Sequence, residues 1–348
     1  MSDNDNIIVD TTTRLLQDLC TPSIVNDAEE GKWPTVLWNA LEEAGLPLTW
    51  VSDELGGAGA EISDGFAVLK VAGSFAVPVP LAETLMAGML LAKAGMNVPQ
   101  GPMSIAPVQP GATIGLQGGV LKGTTRFVPF ARSVKHLVVL ADGNVCLVAA
   151  GDCSMSHGIS LAGEPRDDVS FDGVKPLDVA PAGEVSADFV QQLGATVRSV
   201  QMAGALQRIL DQSVEYAMER VQFGRPIGKF QAVQHNLAEL AGEVAAAGAA
   251  ADAAAEVVAD SSIDADRRAA EVATAKVRVG EAAGKGAAIA HQAHGAMGFT
   301  YEHSLHHSTR RLWSWRDEFG NEAVWAGRLG RLVAARGADN LWPFITGE

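Results

Sequence analysis

Hydrophobic positions in the first hundred residues recur at intervals of three and four, which is the spacing of amphipathic helices. Such segments lie at 15–20, 36–46, 66–72 and 81–94. Turn-forming residues separate them, among them Gly45, the glycines of 56–59 and Pro80. The pattern predicts an N-terminal helical domain over residues 1–103.

The pattern changes after Pro99. Short apolar segments now alternate with glycine-containing turns, and they lie at 112–116, 125–128, 137–141 and 145–149. Asp142-Gly143, between the last two segments, is a strong signal for a two-residue hairpin turn. We expect a small antiparallel β domain over residues 104–182, folded as a compact barrel.

Long helical periods occupy residues 183–348. Ser186 is suited to cap a first helix that ends near Arg220, and Asp264 to cap a third. The four helices are predicted at 187–220, 231–259, 265–294 and from about Ser304 onward. Small residues at 245–251 permit close helix packing, as in a four-helix bundle. The fold class predicted is therefore mainly α with a small β domain between two helical parts.

Composition excludes several classes of protein. The chain has 348 residues and a formal net charge of −15, and a polyanion binds nucleic-acid backbones poorly. No apolar run approaches the roughly 18 residues that cross a bilayer. The acidic, polar start of the sequence is unlike a secretory signal. We therefore expect a cytoplasmic protein with no nucleic-acid partner and no membrane span.

Cysteine and histidine usage gives no metal signature. Cys20, Cys146 and Cys153 are odd in number and lack ligand spacing, which indicates reduced thiols. Five of the eight histidines cluster, at 291, 294, 303, 306 and 307. They form no H-E-x-x-H pattern, and glycines interrupt the cluster. A polar stripe near a subunit or cofactor interface is favoured over a metal site, and no metal is predicted.

The connection between the first two bundle helices carries the most distinctive residues, Arg220-Val-Gln-Phe-Gly-Arg-Pro-Ile-Gly-Lys-Phe-Gln-Ala-Val-Gln234. Gly224 and Pro226 end one helix and turn the chain. Arg220 offers a fixed positive fork suited to a pyrophosphate. Phe223 offers a flat apolar face for a purine ring. An ordinary helix connection with a surface arginine explains the spacing equally well when it is taken alone.

This string closely resembles the signature of the acyl-CoA dehydrogenase family, in which an Arg-x-x-Phe-Gly turn is followed by Phe/His-Gln. In that family the turn holds the pyrophosphate and adenosine end of an FAD bound mainly to a neighbouring subunit. The resemblance implies FAD as cofactor. It assigns cofactor-binding roles to Arg220, Gln222, Phe223 and Gln231.

A second segment, Gln292-Ala-His-Gly-Ala-Met-Gly-Phe299, resembles the Gln-x-x-Gly-Gly-x-Gly-Phe segment of the same family. The resemblance adds Gln292 and Gly295 to the cofactor-binding residues, with Ala296 in place of the second glycine. Looser similarities lie at 38–46, 54–59, 123–132 and 172–176. In total the resemblance extends from about Trp33 to about Val333.

The chain departs from the family at the flavin ring and at the catalytic base. A Thr-Glu-Pro-like loop ending in Gly-Ser normally wraps the flavin, and residues 104–111 contain nothing equivalent. The base is a carboxylate that must be positioned and tuned to take the α proton. Phe319 occupies its usual position, and the alternative position falls near Gly194.

Two carboxylates remain as candidates for the base. Glu318 is one residue out of register with the usual position and is the first candidate, and Asp317 is the second. A surface role beside neighbouring arginines such as Arg316 explains both residues equally well. Sequence reasoning leaves these alternatives open.

The short chain and its retained adenosine-binding half resemble the shortened subunit of heteromeric acyl-CoA dehydrogenases of the steroid side-chain type. This implies FAD-dependent α,β-dehydrogenation of an acyl-CoA substrate in lipid or steroid catabolism. It also implies an electron-transfer flavoprotein as acceptor. The subunit would belong to a homo-oligomer or to a hetero-oligomer with a paralogous subunit.

One alternative is a catalytically silent scaffold that lends its turn to an active paralogue. Another is a flavin monooxygenase or a DNA-associated flavoprotein, and the net charge opposes DNA binding.

Overall fold

The structure, a computed structural model, describes residues 3–109 and 114–346. The chain divides into two compact units, 1–194 and 195–348. Helices followed by strands make up the first unit, and the second is helical. The fold class, mainly α with a small β domain, is confirmed. The predicted domain limits at residues 103 and 182 stay predictions.

In the described residues the first unit opens with five helices: α1 (Asp3–Leu19), α2 (Pro22–Glu29), α3 (Thr35–Glu43), α4 (Ile62–Ser74) and α5 (Leu81–Lys93). Helix α5 is buried from Leu81 to Leu91, so it is a central helix and not an amphipathic surface helix. Glu61 and Asp64 form a capping box at the start of α4. The sequence pattern did not predict α2, whose apolar stripe is short.

Eight strands follow in the part of the chain that the structure describes: β1 (Met103–Ala106), β2 (Ile114–Gln117), β3 (Val120–Pro129), β4 (His136–Ala141), β5 (Asn144–Ala149), β6 (Ser154–Ser156), β7 (Arg166–Val174) and β8 (Asp178–Pro181). They form two sheets, with strand orders β1-β4-β5-β8 and β2-β3-β7-β6. Buried residues from both sheets join in one core, with Leu121, Leu137 and Val169 fully buried. Two facing sheets around one core are the arrangement that the barrel prediction required.

The predicted hairpin at Asp142-Gly143 joins β4 and β5, and both residues have the positive φ angles of a type I′ turn. One strand pair differs from the expected antiparallel pattern, because β1 and β4 run parallel. The chain between them enters the other sheet as β2 and β3, and this crossover permits the parallel pairing. Residues 112 and 113 of the predicted strand 112–116 lie outside the described residues.

The helices of the second unit are α6 (Ala187–Glu219), which begins in the first unit, α7 (Gln231–Ala259), α8 (Ala265–His294), α9 (Leu305–Asp317), α10 (Glu322–Arg336) and α11 (Leu341–Thr346). Both predicted caps are present. Ser186 Oγ accepts from the N–H of Phe189 at 3.0 Å, and Asp264 Oδ1 accepts from that of Arg267 at 3.0 Å. Ser304 makes no such cap.

Small residues set the spacing of the bundle. A Cβ on Gly286 would lie 2.9 Å from a methyl carbon of Leu206 and 3.2 Å from one of Leu240. Helices α6, α7 and α8 therefore meet at a position where only glycine fits. In the described part of the chain, no helix combines the length and the apolar character that a membrane span requires.

Candidate functional site

A short hairpin connects α6 to α7. Its strands are β9 (Val221–Gln222) and β10 (Arg225–Pro226), and its turn residues are Phe223 and Gly224, with φ angles of 55° and 81°. A positive φ is unusual for an aromatic residue and common for glycine. The turn directs Phe223 away from the protein, and its side chain is 90% exposed. An aromatic ring this exposed has a face free to stack on a planar group.

A cavity of about 340 Å³ opens beside this turn. It is lined by Gln222, Phe223, Ile227, Phe230, Ala232, Val233, Asn236, Gln292 and Ala293. The two predicted motifs thus meet, since Gln222 and Phe223 come from the hairpin and Gln292 from the end of α8. Aromatic and aliphatic walls with a few amide groups are typical of sites for small organic ligands.

The remaining predicted cofactor residues lie outside the lining of this cavity. Arg220 and Gln231 are exposed at the two ends of the connection. Gly295 is exposed where α8 ends, has a φ of 59°, and has open space where a Cβ would be. Whether these residues contact a cofactor stays a prediction.

The residues of this region fit the adenosine half of FAD. The Phe223 ring offers a stacking face, and the amides of Gln222, Asn236 and Gln292 can exchange hydrogen bonds with purine or ribose. The cavity volume is at the lower end of the roughly 300–1,000 Å³ common for small-molecule sites, which suits one end of a dinucleotide.

The segment expected at the flavin ring is engaged within the first unit. Ser104 is fully buried in β1 and donates a hydrogen bond to the Pro129 carbonyl at 2.6 Å. The Val108 carbonyl accepts from Gln191 Nε2 at 3.0 Å. Residues 110 and 111 lie outside the described residues. In the described part of 104–111, these polar groups therefore join the segment to β3 and to the first turns of α6.

The first candidate base, Glu318, is held by an arginine. Arg198 on α6 brings Nη2 to 2.7 Å and Nε to 2.8 Å from Glu318 Oε2. The guanidinium is buried and the carboxylate is 15% exposed. An opposite charge at this distance favours the ionised carboxylate. Asp317, the second candidate, is exposed.

Phe319, at the position where the family resemblance places a glutamate, faces the protein interior. It is 1% exposed and has a φ of 54°. Its carbonyl accepts from Trp325 Nε1 at 2.9 Å. Gly320 follows with a φ of 93°, and a Cβ there would lie 2.9 Å from the same indole nitrogen. The turn between α9 and α10 is therefore fixed by packing that leaves the Phe319 side chain inaccessible.

A buried lysine also stabilises this turn, and sequence reasoning missed it. Lys276 on α8 donates to the carbonyls of Trp315 and Arg316 at 3.1 and 2.7 Å. Burial lowers the pKa of Lys276 to about 7, although the nearby carboxylates Glu318 and Glu322 oppose the shift. One sequence signal could have identified Lys276, namely a charged residue among small apolar neighbours in a helix. Arg198 shows the same signal.

No group of three or more histidine, cysteine, aspartate or glutamate side chains in the described residues is arranged to hold a metal ion. The five clustered histidines lie where α8 ends and α9 begins, and they mainly contact one another and aromatic rings. Cys20, Cys146 and Cys153 form no disulfide in the described residues.

Comparison with known proteins assigns the family. The family described as "Acyl-CoA dehydrogenase, C-terminal domain" matches residues 192–332. The chain is 30% identical over 312 residues to the acyl-CoA dehydrogenase IpdE2 of Mycolicibacterium smegmatis, covering 88% of this chain and 91% of that protein. The chain belongs to the acyl-CoA dehydrogenase family. Acyl-CoA dehydrogenases are oxidoreductases, and the family resemblance expected from the two motifs is confirmed.

Solved structures give the same fold for this acyl-CoA dehydrogenase. The crystal structure of the ChsE4–ChsE5 complex from Mycobacterium tuberculosis aligns with a TM-score of 0.87 at 24% identity, covering 97% of this chain and 99% of that chain. The Tcur3481–Tcur3483 steroid acyl-CoA dehydrogenase aligns with a TM-score of 0.84 at 24% identity, covering 96% and 98%. FAD, the cofactor expected from the sequence, is the cofactor of the family, and an FAD complex is among the solved structures with this fold.

Proposed function

We propose that this chain is one subunit of a heteromeric, FAD-dependent acyl-CoA dehydrogenase. In this proposal it offers Arg220, Gln222, Phe223, Gln231, Gln292 and Gly295 to the adenosine end of an FAD that a paralogous subunit holds at the flavin end. The observation that carries the proposal is the exposed Phe223 ring at the mouth of a cavity large enough for only part of the dinucleotide.

The reaction would be the α,β-dehydrogenation of an acyl-CoA thioester. A base takes the α proton, and bound FAD supplies the acceptor for the β hydride. The electrons would then pass to an electron-transfer flavoprotein. Two solved neighbours are described as a two-protein complex and as a steroid enzyme, which supports a paralogous partner and a bulky, ring-bearing acyl group.

Within this proposal the chain's own residues bind and orient the cofactor. The Phe223 ring would cover one face of the adenine, while the Phe230 side of the cavity would exclude water from the other. Arg220, at the exposed start of the hairpin, would neutralise the pyrophosphate. Glu318 remains the candidate base, with Asp317 second.

A second function is favoured by the ion pair between Arg198 and Glu318. If this carboxylate serves only to hold α6 and α9 together, and the exposed Asp317 takes no proton, the chain has no base of its own at the α9–α10 turn. It would then be a catalytically silent subunit that lends the adenosine-binding hairpin to an active paralogue. The buried position of Phe319 is consistent with this second function.

An absorbance experiment tests the proposed assembly. The chain is purified alone and again after co-expression with a paralogous acyl-CoA dehydrogenase subunit from the same genome. We expect flavin absorbance only in the co-purified complex. Stoichiometric flavin in the chain purified alone would overturn the heteromeric part of the proposal. Turnover of acyl-CoA with an artificial electron acceptor by the chain alone would overturn the silent-subunit function.

A further inference from the structure

Five histidines surround the short segment Gly295–Phe299, which joins α8 to the loop before α9. His294 and His303 pack edge to face with ring centroids 4.6 Å apart, and His306 and His307 do so at 4.3 Å. Tyr216 of α6 stacks on His294 at 4.5 Å. We call these five residues, His291, His294, His303, His306 and His307, the histidine cluster.

The segment Gly295–Phe299 rests directly on the two α8 histidines. The Phe299 ring stacks on His291 at 4.1 Å with an interplanar angle of 20°. A Cβ on Gly298 would lie 3.1 Å from His291 Nδ1 and 3.1 Å from His294 Cβ. The segment is held in place by the aromatic stack on His291 and by the contact at Gly298, which leaves no room for a methyl group.

Hydrogen bonding shows which ring nitrogens carry protons at neutral pH. His294 Nδ1 lies 2.8 Å from the Ala290 carbonyl and His306 Nδ1 2.8 Å from the His303 carbonyl. A carbonyl only accepts, so both Nδ1 atoms donate and both Nε2 atoms hold lone pairs in the neutral rings. His303 Nδ1 accepts from the N–H of Leu305 at 3.1 Å and therefore also holds a lone pair.

A second proton on His294 has no acceptor in the described residues. His294 Nε2 is buried there without a hydrogen-bond partner, so a proton on it would leave a buried, unsatisfied cation. On His303 a proton at Nδ1 would displace the hydrogen bond from Leu305 N–H. Each protonation therefore breaks or strains a contact at the base of the Gly295–Phe299 segment.

The charges around the histidine cluster also oppose protonation. The groups that face it are the histidines themselves, Arg208 and Glu215 on α6, and Arg310 and Arg311 on α9. Glu215, which faces His303, is the one carboxylate in that set. Burial and neighbouring histidines lower the pKa of His291 and His294, and Arg208 adds to the lowering at His303. Burial, with His306, Arg311 and Arg310, lowers the pKa of His307 to about 3.

We propose that the histidine cluster is a proton-operated latch, which holds the Gly295–Phe299 segment while its rings are neutral and releases it when they are protonated. Because the folded pKa values of His291, His294, His303 and His307 lie below the ordinary 6.5, the open state binds more protons in mild acid, and the latch weakens as the pH falls below that value. Each unit by which the pKa of a histidine in the closed state lies below its pKa in the open state can shift the equilibrium between the two states by a factor of about ten.

One consequence rests on the proposed function. Gln292 lies between His291 and His294, and Gly295 begins the released segment, so opening the latch would remove both from the adenosine end of the cofactor. Mild acid would then release FAD by displacing these residues, with the rest of the bundle intact. The latch itself does not depend on flavin binding.

Hydrogen–deuterium exchange of the full-length chain, alone and in its co-purified complex, tests the latch. Exchange is measured between about pH 7.5 and about pH 5 and corrected for the intrinsic pH dependence of amide exchange. We expect protection in peptides covering 295–305 to fall about tenfold or more, while peptides from the buried part of α7 stay protected. Unchanged protection at 295–305, or equal loss throughout the bundle, would overturn the proposal.

A variant provides the matched comparison. The double substitution His294→Asn and His303→Asn removes two rings whose pKa values are lowered, and the asparagine amides can still donate near His294 Nδ1 and accept near His303 Nδ1. We expect the pH dependence of exchange in its 295–305 peptides to be reduced but not abolished, because His291 and His307 remain, whereas the exposed control His157→Asn keeps the wild-type profile. A double variant with the wild-type pH profile would refute the role of these two rings. If the double variant fails to fold, the wild-type titration alone decides.

Flavin fluorescence in the same samples separates the latch from the proposed function. Opening of 295–305 in a chain that never retains FAD would support the latch and contradict the cofactor role. Retained FAD with no opening would contradict the latch and leave the cofactor role supported.

Discussion

The guanidinium of Arg198 and the carboxylate of Glu318 lie 2.7 Å apart, although 120 positions separate them in the sequence. Arg198 also donates to Gln201 Oε1 at 2.5 Å and lies over the Trp315 ring. The pair fixes the start of the α9–α10 turn to α6. The residue that the sequence offers as a base is therefore also part of the bundle's internal support.

The substitution Glu318→Gln distinguishes these two roles. The ion pair leads us to expect a loss of about 1–3 kcal/mol in the free energy of unfolding, because a charged hydrogen bond is lost, with kcat of the assembled enzyme changed less than about tenfold. Urea denaturation and steady-state kinetics measure the two effects. A loss in kcat of about a hundredfold or more with unchanged stability would instead establish Glu318 as the base.

An exposed ion pair supplies the control for that experiment. Arg336 and Asp266 lie 2.7 Å apart with both side chains partly solvated. Asp266→Asn should lower the free energy of unfolding by less than about 1 kcal/mol, since surface ion pairs contribute little to stability. An equal loss of unfolding free energy in Asp266→Asn and Glu318→Gln would contradict the inference that burial makes the Arg198–Glu318 pair the stronger of the two.

The substitution Phe223→Ala should weaken cofactor retention without destabilising the chain. The ring is almost fully exposed, so its removal should change the free energy of unfolding by less than about 0.5 kcal/mol. Lost stacking on the adenine should lower FAD affinity of the co-purified complex by roughly 1–3 kcal/mol. Equilibrium dialysis of FAD measures this loss. Phe127→Ala, at a half-exposed aromatic of the β domain, should leave FAD affinity unchanged.

The substitution Lys276→Met should remove a pH dependence from stability. Because the folded pKa is lowered from 10.5 to about 7, the unfolded chain binds more protons between these values, and this lysine makes stability rise with pH there. The rise is at most about 1.4 kcal/mol per pH unit. Urea denaturation from neutral to alkaline pH should show the rise in wild type and a flatter profile in the variant.

The exposed Lys285, on the same helix, provides the control for Lys276. Lys285→Met removes an amine that is 58% exposed. It should retain the wild-type rise in stability with pH. Equal flattening in both variants would show that Lys276 is not the titrating group.

The substitution Gly280→Ala should destabilise the bundle. A Cβ at this position would lie 2.0 Å from Glu322 Oε1, and Glu322 is held there by Arg316. Overpacking of this kind costs about 1–3 kcal/mol. Gly248→Ala on α7, where nothing lies within 4 Å of the added carbon, should instead stabilise the chain by about 0.5–1 kcal/mol. Urea midpoints of the two variants should therefore move in opposite directions.

Local sequence patterns predicted most of the fold. The Asp142-Gly143 hairpin and the caps at Ser186 and Asp264 depend on residues adjacent in the chain, and all three are present. The pattern missed α2 and the parallel pairing of β1 with β4. Strand order depends on which segments meet after the chain crosses between sheets, and no local period encodes it.

The sequence by itself determined the family and the residues of the hairpin, because the motifs around Phe223 and Gly295 are contiguous and the turn geometry follows from neighbouring residues. Only the tertiary structure decided that Gln292 meets Phe223 at one cavity and that Glu318 is paired with Arg198. It also revealed Lys276 beneath α9 and the histidine rings beneath Gly295–Phe299. Charge, burial and hydrogen bonding are properties of groups brought together from distant positions, so they exist only once the helices have packed.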